Sequence, residues 1–165
     1  MRAERRKLIL ITGIPGTGKT TYGKEFEKRF GYVHLDLENS SLLRELSSGP
    51  AEFIEALVKR RKDIVVTWGF LPDERQTSIV EQFKARGFKL VWFDGNRPAA
   101  LKAFIRRDTV SENFFYLQMY RIEDSKVIQR IKPLKVNTFD QGGQFKGAAR
   151  VLKEIEEAAP LLVET

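Results

Sequence analysis

The 165-residue chain has no cysteine and a single histidine, and these absences exclude several kinds of site. Without cysteine there can be no disulfide, no thiolate metal ligand and no cysteine nucleophile. One histidine is too few for an ordinary zinc site, which draws most of its ligands from cysteine and histidine. The lack of cysteine also fits a reducing compartment, and we expect the protein to be cytoplasmic.

Long apolar runs are missing as well. No stretch of the sequence approaches the roughly 20 apolar residues that span a bilayer, and the charged residues 1–7 are followed by only a short apolar run before Gly13. We therefore expect neither a signal peptide nor a membrane anchor. The length and the hydrophobic content of 42% allow one sizeable core, so we expect a single domain over residues 1–165.

Positive charge is in excess, with 29 lysines and arginines against 22 acidic residues and a formal net charge of +7. This charge favours anionic partners, and both polyphosphate nucleotides and nucleic acid qualify. The run Lys59-Arg60-Arg61-Lys62 is a candidate contact for nucleic acid, although such runs are more often solvated helix ends. Nucleic acid is therefore a possible partner, but charge alone does not favour it over a nucleotide.

Five short apolar runs, rich in β-branched or aromatic residues, predict buried strands. They are Leu8–Thr12, Tyr32–Leu35, Ile64–Thr67, Leu90–Phe93 and Leu134–Phe139. Segments with helical spacing lie between them. The later helices are expected at Pro98–Arg107, Glu112–Arg130 and Lys146–Ala159. Strands that alternate with helices predict an α/β fold with a parallel sheet covered on both faces.

A complete phosphate-binding motif, G-x-x-x-x-G-K-[ST], lies between the first strand and the first helix. It consists of Gly13, Ile14, Pro15, Gly16, Thr17, Gly18, Lys19 and Thr20, and Thr21 is expected to contact the nucleotide too. The glycines let successive backbone N–H groups converge on the β-phosphate at a helix N-terminus. Lys19 is expected to bridge the β- and γ-phosphates, and Thr20 to ligate Mg²⁺. The motif therefore predicts binding of ATP, or a similar nucleoside triphosphate, with Mg²⁺.

Other nucleotide-binding classes fit less well. The glycine spacing is not the G-x-G-x-x-G of dinucleotide-binding folds. A signalling GTPase would need Asn-Lys-x-Asp, and Asn137-Thr138-Phe139-Asp140 lacks the lysine. A motor-type ATPase would end its second sensor strand with an acidic pair, whereas the strand Ile64–Thr67 ends in threonine. Compact small-molecule kinases remain.

The second strand ends in Asp36-Leu37-Glu38, and this pattern resembles shikimate and gluconate kinases. The resemblance implies that Asp36 meets the acceptor hydroxyl and the metal shell. The placement is chemically sensible, because a carboxylate beside the phosphate loop can accept the proton of an attacking hydroxyl. Asp36 is therefore the candidate base and a candidate Mg²⁺ ligand. The alternative is a helix cap or surface carboxylate.

The segment from Thr67 to Pro72 resembles the Asp-Gly-Phe-Pro-Arg segment of adenylate kinases, with an inserted leucine and without the aspartate. Gly69 would permit the close approach of an acceptor, and Arg75 could bind an anionic acceptor. Trp68 is either a platform for the acceptor or part of the core. Without that aspartate, the outer-shell contacts of Mg²⁺ must come from Thr67, Asp36 or water.

The fourth strand and the helix after it resemble the start of the lid in adenylate, shikimate and gluconate kinases. The resemblance implies that Arg106 or Arg107 clamps the triphosphate, within a lid-like segment at about 106–125. Solvated helix-end arginines are the alternative. The next helix is faintly similar to a gluconate kinase segment that closes over the acceptor, which implicates Arg121, although its aromatic residues also suit a packed face. Phe139 and Asp140 fall where such kinases pack the adenine edge.

These resemblances imply a three-layer α/β/α sandwich of the P-loop NTPase fold, with five parallel strands in the order 2-3-1-4-5. We expect an ATP-dependent kinase that moves the γ-phosphoryl group to a hydroxyl of a small-molecule acceptor. Two alternatives stay open, a polynucleotide 5′-hydroxyl kinase and a non-catalytic ATP-binding regulatory module. The sequence indicates neither the acceptor nor the oligomeric state.

Overall fold

The computed structural model describes residues 6–107 and 111–158, which contain five strands and eight helices. The strands are β1 (Leu8–Gly13), β2 (Val33–Asp36), β3 (Ile64–Thr67), β4 (Lys89–Asp94) and β5 (Leu134–Asn137). The helices are α1 (Lys19–Phe30), α2 (Ser40–Ser48), α3 (Pro50–Lys59), α4 (Glu74–Ala85), α5 (Arg97–Arg107), α6 (Glu112–Ser125), α7 (Val127–Ile131) and α8 (Ala148–Glu157). Over these residues, no helix combines the length and the apolar character needed to cross a membrane.

The five strands form one parallel sheet in the order β2-β3-β1-β4-β5, which confirms the expected topology. All carboxyl ends of the strands therefore lie at one edge of the sheet. At this edge Asp36 of β2 is in register with Thr67 of β3, and Gly13 of β1 with Phe93 of β4. In open α/β sheets such an edge is where ligands bind.

Hydrophobic side chains cover both faces of the sheet. Successive strand residues point to opposite faces, so Leu10 packs in one cluster and Ile11 in the other. On one face α1 and α8 contribute Phe26 and Val151, both fully buried. On the other face α3 contributes Ile54, with Val80 and Phe83 from α4. The three-layer α/β/α architecture is thus confirmed.

The expected single helix from Glu112 to Arg130 is wrong, because the chain breaks at Lys126. Lys126 has a φ of 55°, in the left-handed region, and separates α6 from α7. The break turns α7 so that Val127 and Ile131 are buried. Lys84 of α4 then donates a hydrogen bond to the Ile131 carbonyl over 2.8 Å, which fixes the end of α7. Burial of these two side chains explains a break that the sequence does not mark with glycine or proline.

The last strand is shorter than predicted and the last helix starts later. β5 ends at Asn137, whose side-chain oxygen accepts a hydrogen bond from the N–H of Phe139 over 2.9 Å. Residues 138–146 then fold back as a loop, with an isolated antiparallel bridge between Phe139 and Phe145. The N–H of Lys146 donates to the Thr138 carbonyl, so α8 begins at Ala148. Part of the lid-like segment, 108–110, and the final residues 159–165 lie outside the described residues.

Candidate active site

The phosphate-binding motif forms a tight loop against β4 and α5. Gly13, Gly16 and Gly18 all have φ values between 78° and 138°, a region that non-glycine residues avoid. A Cβ atom on Gly16 would lie 2.0 Å from the Ala100 carbonyl oxygen, so only glycine fits there. The N–H of Ile14 donates to the Phe93 carbonyl over 3.1 Å. The loop is therefore fixed by the sheet before any ligand binds.

The interior of the loop is pinned by two buried threonines. The Thr17 hydroxyl donates to the Ile14 carbonyl over 2.8 Å across the loop. Behind it, the Thr138 hydroxyl donates to the Thr17 carbonyl over 3.0 Å. Thr138, the first residue after β5, thus supports the loop directly. All three residues are buried, namely Thr17, Ile14 and Thr138. Their side chains shape the loop, which leaves ligand contacts to the backbone.

The Lys19 ammonium folds back over the loop and donates to the Ile14 carbonyl over 2.8 Å and the Gly13 carbonyl over 3.4 Å. Burial lowers the pKa of Lys19 to about 8; Arg107 lowers it too, while Glu38 and Asp36 oppose the shift. An anion between Lys19 and the loop would favour the charged form and raise this pKa. The lysine is thus placed to respond to a bound phosphate.

Asp36 is held by hydrogen bonds from three neighbours at the carboxyl ends of β2 and β3. The Thr20 hydroxyl, at the start of α1, donates to Oδ2 over 3.1 Å. The Thr67 hydroxyl donates to Oδ1 over 3.3 Å, and the N–H of Glu38 donates to the same oxygen over 3.1 Å. The carboxylate therefore has a fixed orientation beside the phosphate loop.

His34, two residues before Asp36, lies behind Thr67. Its Nε2 is 2.8 Å from the Thr67 hydroxyl oxygen. Because Thr67 donates its proton to the Asp36 carboxylate, which can only accept, Nε2 must carry the proton shared with the threonine oxygen. Burial lowers the pKa of His34; Asp36 and Glu27 oppose this shift, and Lys24 adds to it. Neutral His34, Thr67 and Asp36 thus form a chain of hydrogen bonds that ends in the site.

His34 can reach Thr67 only because residue 23 of α1 is glycine. A Cβ atom on Gly23 would lie 2.4 Å from Nε2 of His34. The N–H of His34 also donates to a carboxylate oxygen of Glu27 over 2.7 Å. These contacts from α1 fix the position of the ring.

A cavity of about 260 Å³ opens at this edge of the sheet and brings together much of the predicted site. The predicted residues that line it are Gly13, Pro15, Gly16, Lys19, Thr20, Asp36, Trp68, Gly69, Arg107 and Arg121. Arg106 is exposed at the end of α5 and does not line this cavity. Arg75 does not line it either; it is exposed and donates to the Ser47 carbonyl over 3.2 Å. Of the two candidate clamps, only Arg107 is thus at the cavity, and Arg75 is turned toward α2.

The loop after β3 forms one wall of this cavity. Trp68 is 2% exposed and packs in the core, as one of its two predicted roles requires. It also lines the cavity, so the role of a platform for the acceptor stays a prediction. The N–H of Gly69 donates to Oε1 of Glu38 over 3.0 Å, and a Cβ on Gly69 would lie 2.8 Å from that oxygen. The close approach that we expected Gly69 to make toward an acceptor is made toward Glu38.

Helix α6 forms the opposite wall with one face. Four residues of this helix line the cavity, and their spacings of four, three and one place them on one side of it. They are Phe114, Gln118, Arg121 and Ile122. Phe115 is the buried residue of α6, whereas Tyr116, Leu117 and Tyr120 are exposed. The alternative that the aromatic residues of this helix form a packed face is therefore wrong for most of them.

Sequence reasoning missed several cavity residues. Glu38 belongs to the Asp-x-Glu pattern that identified Asp36, so its spacing was a usable signal. Phe114, Gln118 and Ile122 share the helical face of Arg121, and that periodicity was visible in the sequence. Phe104 of α5 carries no comparable signal, because its place at the cavity depends on how α5 packs against the glycine loop.

A second cavity, of about 280 Å³, lies on the other side of the phosphate loop and is lined in part by Gly18, Thr21 and Phe145. The Phe145 ring is 46% exposed and stacks on Phe139 with 4.6 Å between ring centroids. Phe139 itself is buried, and Asp140 is an exposed turn residue whose Oδ1 accepts from the N–H groups of residues 142 and 144. Phe145 lines this cavity, whereas Phe139 and Asp140 do not.

Among the described residues there is no cluster of three or more histidine, aspartate or glutamate side chains that could hold a metal ion alone. Thr20 and Asp36 nevertheless present a hydroxyl and a carboxylate oxygen 3.1 Å apart beside the phosphate loop. These are hard oxygen donors, and Mg²⁺ typically takes only one or two protein ligands together with phosphate oxygens and water. The donor set therefore fits Mg²⁺ delivered with a nucleotide.

The parallel sheet, the strand order and the glycine loop between β1 and α1 define a P-loop NTPase fold. No protein-family model matches the chain, and no curated protein matches its sequence. Solved structures with this fold do match. A gluconokinase from Sinorhizobium meliloti 1021 is 18% identical with a TM-score of 0.55, and the match covers 92% of this chain and 91% of that one.

Two further structures resemble the chain over nearly its full length. Shikimate kinase from Acinetobacter baumannii, solved in complex with shikimate, is 15% identical with a TM-score of 0.60 and coverage of 93% and 94%. The tunicamycin resistance protein of Deinococcus radiodurans is 20% identical with a TM-score of 0.58 and coverage of 92% and 94%. At such identities the likeness concerns the fold. The chain thus has the fold of the P-loop small-molecule kinases related to gluconokinase and shikimate kinase.

Proposed function

We propose that the protein is a kinase that transfers the γ-phosphoryl group of Mg·ATP to a hydroxyl of a small-molecule acceptor. The observation that carries the proposal is the position of Asp36, whose carboxylate is hydrogen-bonded to Thr20 of the phosphate loop at 3.1 Å. A carboxylate held beside the phosphate loop can hold Mg²⁺ and can also accept the proton of an attacking hydroxyl, and nucleotide binding alone does not need the second role. The fold shared with gluconokinase and shikimate kinase supports this reaction class.

In the proposed reaction the acceptor hydroxyl oxygen attacks the γ-phosphorus. The bond between the γ-phosphorus and the oxygen that bridges it to the β-phosphate breaks, and ADP leaves with that electron pair. The hydroxyl proton passes to the Asp36 carboxylate, so the products are ADP, the phosphorylated acceptor and a protonated Asp36 that returns its proton to water. General-base assistance of this kind contributes about 10²–10⁴-fold to a rate.

The other side chains of the cavity neutralise and position the phosphates. Lys19 lies beside the loop carbonyls, from which its ammonium would move to the β- and γ-phosphate oxygens. Arg107 lines the same cavity and is the candidate for the charge that develops during transfer. Thr20 and Asp36 would hold Mg²⁺, which supplies positive charge at the β- and γ-oxygens. Catalysis would be mostly positioning and charge stabilisation.

The nucleoside would occupy the second cavity. Gly18 and Thr21 place the end of the phosphate loop at its rim, and the exposed Phe145 ring offers a flat apolar surface for a base. Phe139 supports that ring from below. The nucleotide would thus run from Phe145 across the loop to Asp36.

The basic run at residues 59–62 gives little support to a nucleic acid acceptor. It precedes β3 and therefore lies at the amino-terminal edge of the sheet, opposite the cavity. A four-residue strand alone separates the two edges by about 13 Å. An oligonucleotide 5′-hydroxyl at Asp36 would not contact this run without wrapping around the sheet.

The proposal is tested by mixing purified protein, Mg·ATP and a panel of sugars, sugar acids, nucleosides, aminoglycosides, hydroxylated aromatic compounds and 5′-hydroxyl oligonucleotides. ADP release is followed, and the mass of the acceptor is measured. We expect one acceptor class to gain the mass of a phosphoryl group in a reaction that Lys19→Ala abolishes. ATP binding without transfer to any class would favour the non-catalytic regulatory module instead.

A further inference from the structure

The main cavity has two ends with different chemistry. One end is the phosphate loop with Lys19, Thr20 and Arg107, where the triphosphate would lie. The rest of the cavity is lined by Glu38, the loop after β3 and one face of α6. This second end is where an acceptor would bind, so its side chains determine which acceptors fit.

The floor of the acceptor end is a rigid aromatic cluster. The Phe70 ring centroid lies 5.5 Å from that of Trp68 and 6.4 Å from that of Trp92, with tilted or edge-on ring planes. Both tryptophans are 2% exposed, so their rings cannot rearrange without disturbing the core. Nε1 of Trp92 is the one buried side-chain nitrogen or oxygen in residues 6–107 and 111–158 without a hydrogen-bond partner. Apart from the indole N–H groups, the side chains of this floor carry no polar atom for an acceptor made only of hydroxyls.

Apolar side chains also form the walls. Leu71 and Pro72 continue from the aromatic floor, and Phe114 and Ile122 face the cavity from α6. Phe114 is stacked on Phe104 of α5, with 6.3 Å between centroids and 5° between ring planes. Such surfaces bind flat hydrocarbon or aromatic groups by excluding water.

The charges at the acceptor end disfavour an anion. Lys19 and Arg107 are matched by the triphosphate, which leaves Arg121 as the cation at the acceptor end. Two carboxylates, Asp36 and Glu38, face it. Oε1 of Glu38 accepts from the Gly69 N–H, and Oε2 has no protein partner among the described residues, so it is free to accept from a ligand hydroxyl. With Asp36 matched by Mg²⁺, the charges that remain are those of Arg121 and Glu38, and they cancel. A carboxylate or phosphate on the acceptor would therefore lie beside Glu38 with no net positive charge to offset the loss of its hydration.

We propose that the acceptor is an uncharged molecule that carries its hydroxyl on an aromatic or other flat apolar group, and that sugar acids and phosphorylated sugars are poor ligands. The cavity of about 260 Å³, part of which the γ-phosphate occupies, limits the buried portion to about one ring. The inference rests on the proposed function for the fate of the hydroxyl, but binding to the acceptor end can be measured without transfer.

The chain provides its own probe for this binding. It has two tryptophans, Trp68 and Trp92, and both line the cavity, so fluorescence excited selectively at tryptophan reports on this site. The protein is saturated with Mg²⁺ and a non-hydrolysable ATP analogue and titrated with four compounds. They are 4-(hydroxymethyl)benzamide, 4-(hydroxymethyl)benzoate, sorbitol and gluconate. The benzamide is neutral and the benzoate is an anion of nearly the same shape. Sorbitol and gluconate give the same comparison of a neutral molecule with an anion, but without an aromatic ring.

We expect 4-(hydroxymethyl)benzamide to bind at least about tenfold more tightly than the benzoate and than sorbitol, with gluconate weakest. In Glu38→Gln the difference between benzamide and benzoate should shrink to less than about threefold, because the main repulsion is removed. Glu45→Gln, on the exposed surface of α2, should leave the difference unchanged. Tighter binding of the benzoate or of gluconate overturns the proposal, as does the absence of any response to the benzamide at its solubility limit.

The outcomes separate the acceptor class from the reaction. Transfer of phosphate to gluconate or another sugar acid, with no binding of neutral aromatics, would leave the kinase intact and refute the acceptor class. Binding of the benzamide with the expected selectivity, but no transfer to any neutral hydroxylated aromatic compound, would refute the kinase and leave the binding preference standing.

Discussion

The Thr67 hydroxyl donates a hydrogen bond to Oδ1 of Asp36 over 3.3 Å, and the two residues are paired in register on neighbouring strands. A carboxylate at this position would repel Asp36, whereas a hydroxyl can donate to it. The threonine that ends β3 thus orients the proposed base. His34 completes this arrangement from behind, because its ring proton is directed at the Thr67 oxygen.

The first prediction concerns the donor at position 67. Thr67→Val keeps the shape of the side chain and removes its hydroxyl, so Asp36 loses a hydrogen bond to its charged form. Such a bond contributes roughly 1.5–3 kcal/mol, and we expect kcat to fall about tenfold or more. Thr67→Ser retains the donor and should stay within about threefold of the wild type. Steady-state kinetics of both variants is the measurement, and equal losses in the two would show that the hydroxyl does not orient Asp36.

The second prediction concerns acid stability. Because burial disfavours the imidazolium form of His34, the folded protein binds a proton on this ring less readily than the unfolded chain. The free energy of unfolding should therefore decrease as the pH falls below 6.5, the ordinary pKa of the ring. Above pH 6.5 this group should cause no decrease. His34→Gln keeps an N–H donor and cannot titrate, so its stability should depend less on pH in that range.

Urea unfolding of the wild type and His34→Gln on both sides of this range gives the comparison. The ring itself can be followed directly, because it is the one histidine of the chain and its NMR signals need no assignment. A pKa for His34 at or above its ordinary value would contradict the prediction. So would identical pH dependence of unfolding in the two proteins.

The third prediction concerns proton uptake by Lys19. Its pKa of about 8 means that the amine is mostly neutral at about pH 9, whereas a bound triphosphate favours the ammonium form. Nucleotide binding at about pH 9 should therefore take up between about half and one proton per site, and less at about pH 7. Calorimetry in two buffers with different ionisation enthalpies measures this number. Lys28→Met, on the exposed side of α1, should not change it, and uptake that is absent at the higher pH would refute the prediction.

The fourth prediction compares two glycines. Gly16→Ala would place a Cβ atom 2.0 Å from the Ala100 carbonyl oxygen at a residue with a φ of 78°. We expect the loop to shift and nucleotide affinity to fall at least about tenfold, with a lower melting temperature. Gly147→Ala meets no atom within 4 Å and has a φ of −63°, so it should cost no more than about 1 kcal/mol and leave binding unchanged. Equal effects of the two substitutions on affinity would contradict the prediction.

The sequence predicted the sheet and the phosphate loop well, because both depend on local patterns. Apolar runs marked the strands within one or two residues, and the glycine spacing marked the loop. The break at Lys126 could not be predicted, since it arises from burial of Val127 and Ile131 against elements distant in sequence. The early end of β5 has a similar origin, in the loop that returns from Phe139 to Phe145.

At the candidate site Asp36, at the end of a β-strand, was predicted, whereas of the cavity residues that α5 and α6 contribute only Arg107 and Arg121 were predicted. Asp36 follows from its place after an apolar strand. The choice between Arg106 and Arg107 depends on how α5 is rotated about its axis. Two adjacent arginines give no periodic pattern from which this rotation could be predicted. Arg75 was expected at the acceptor because it follows the segment after β3, but the start of α4 turns it toward Ser47.

The most direct test of the account is a single-turnover transfer experiment with ATP labelled at the γ-phosphate, the acceptor found by the panel, and the wild type, Asp36→Asn and Lys19→Ala. We expect label in the acceptor with the wild type, transfer at least about 10²-fold slower with Asp36→Asn, whose ATP affinity should be retained, and no transfer with Lys19→Ala. Transfer by Asp36→Asn at the wild-type rate, or bound ATP whose label reaches no acceptor, would contradict it.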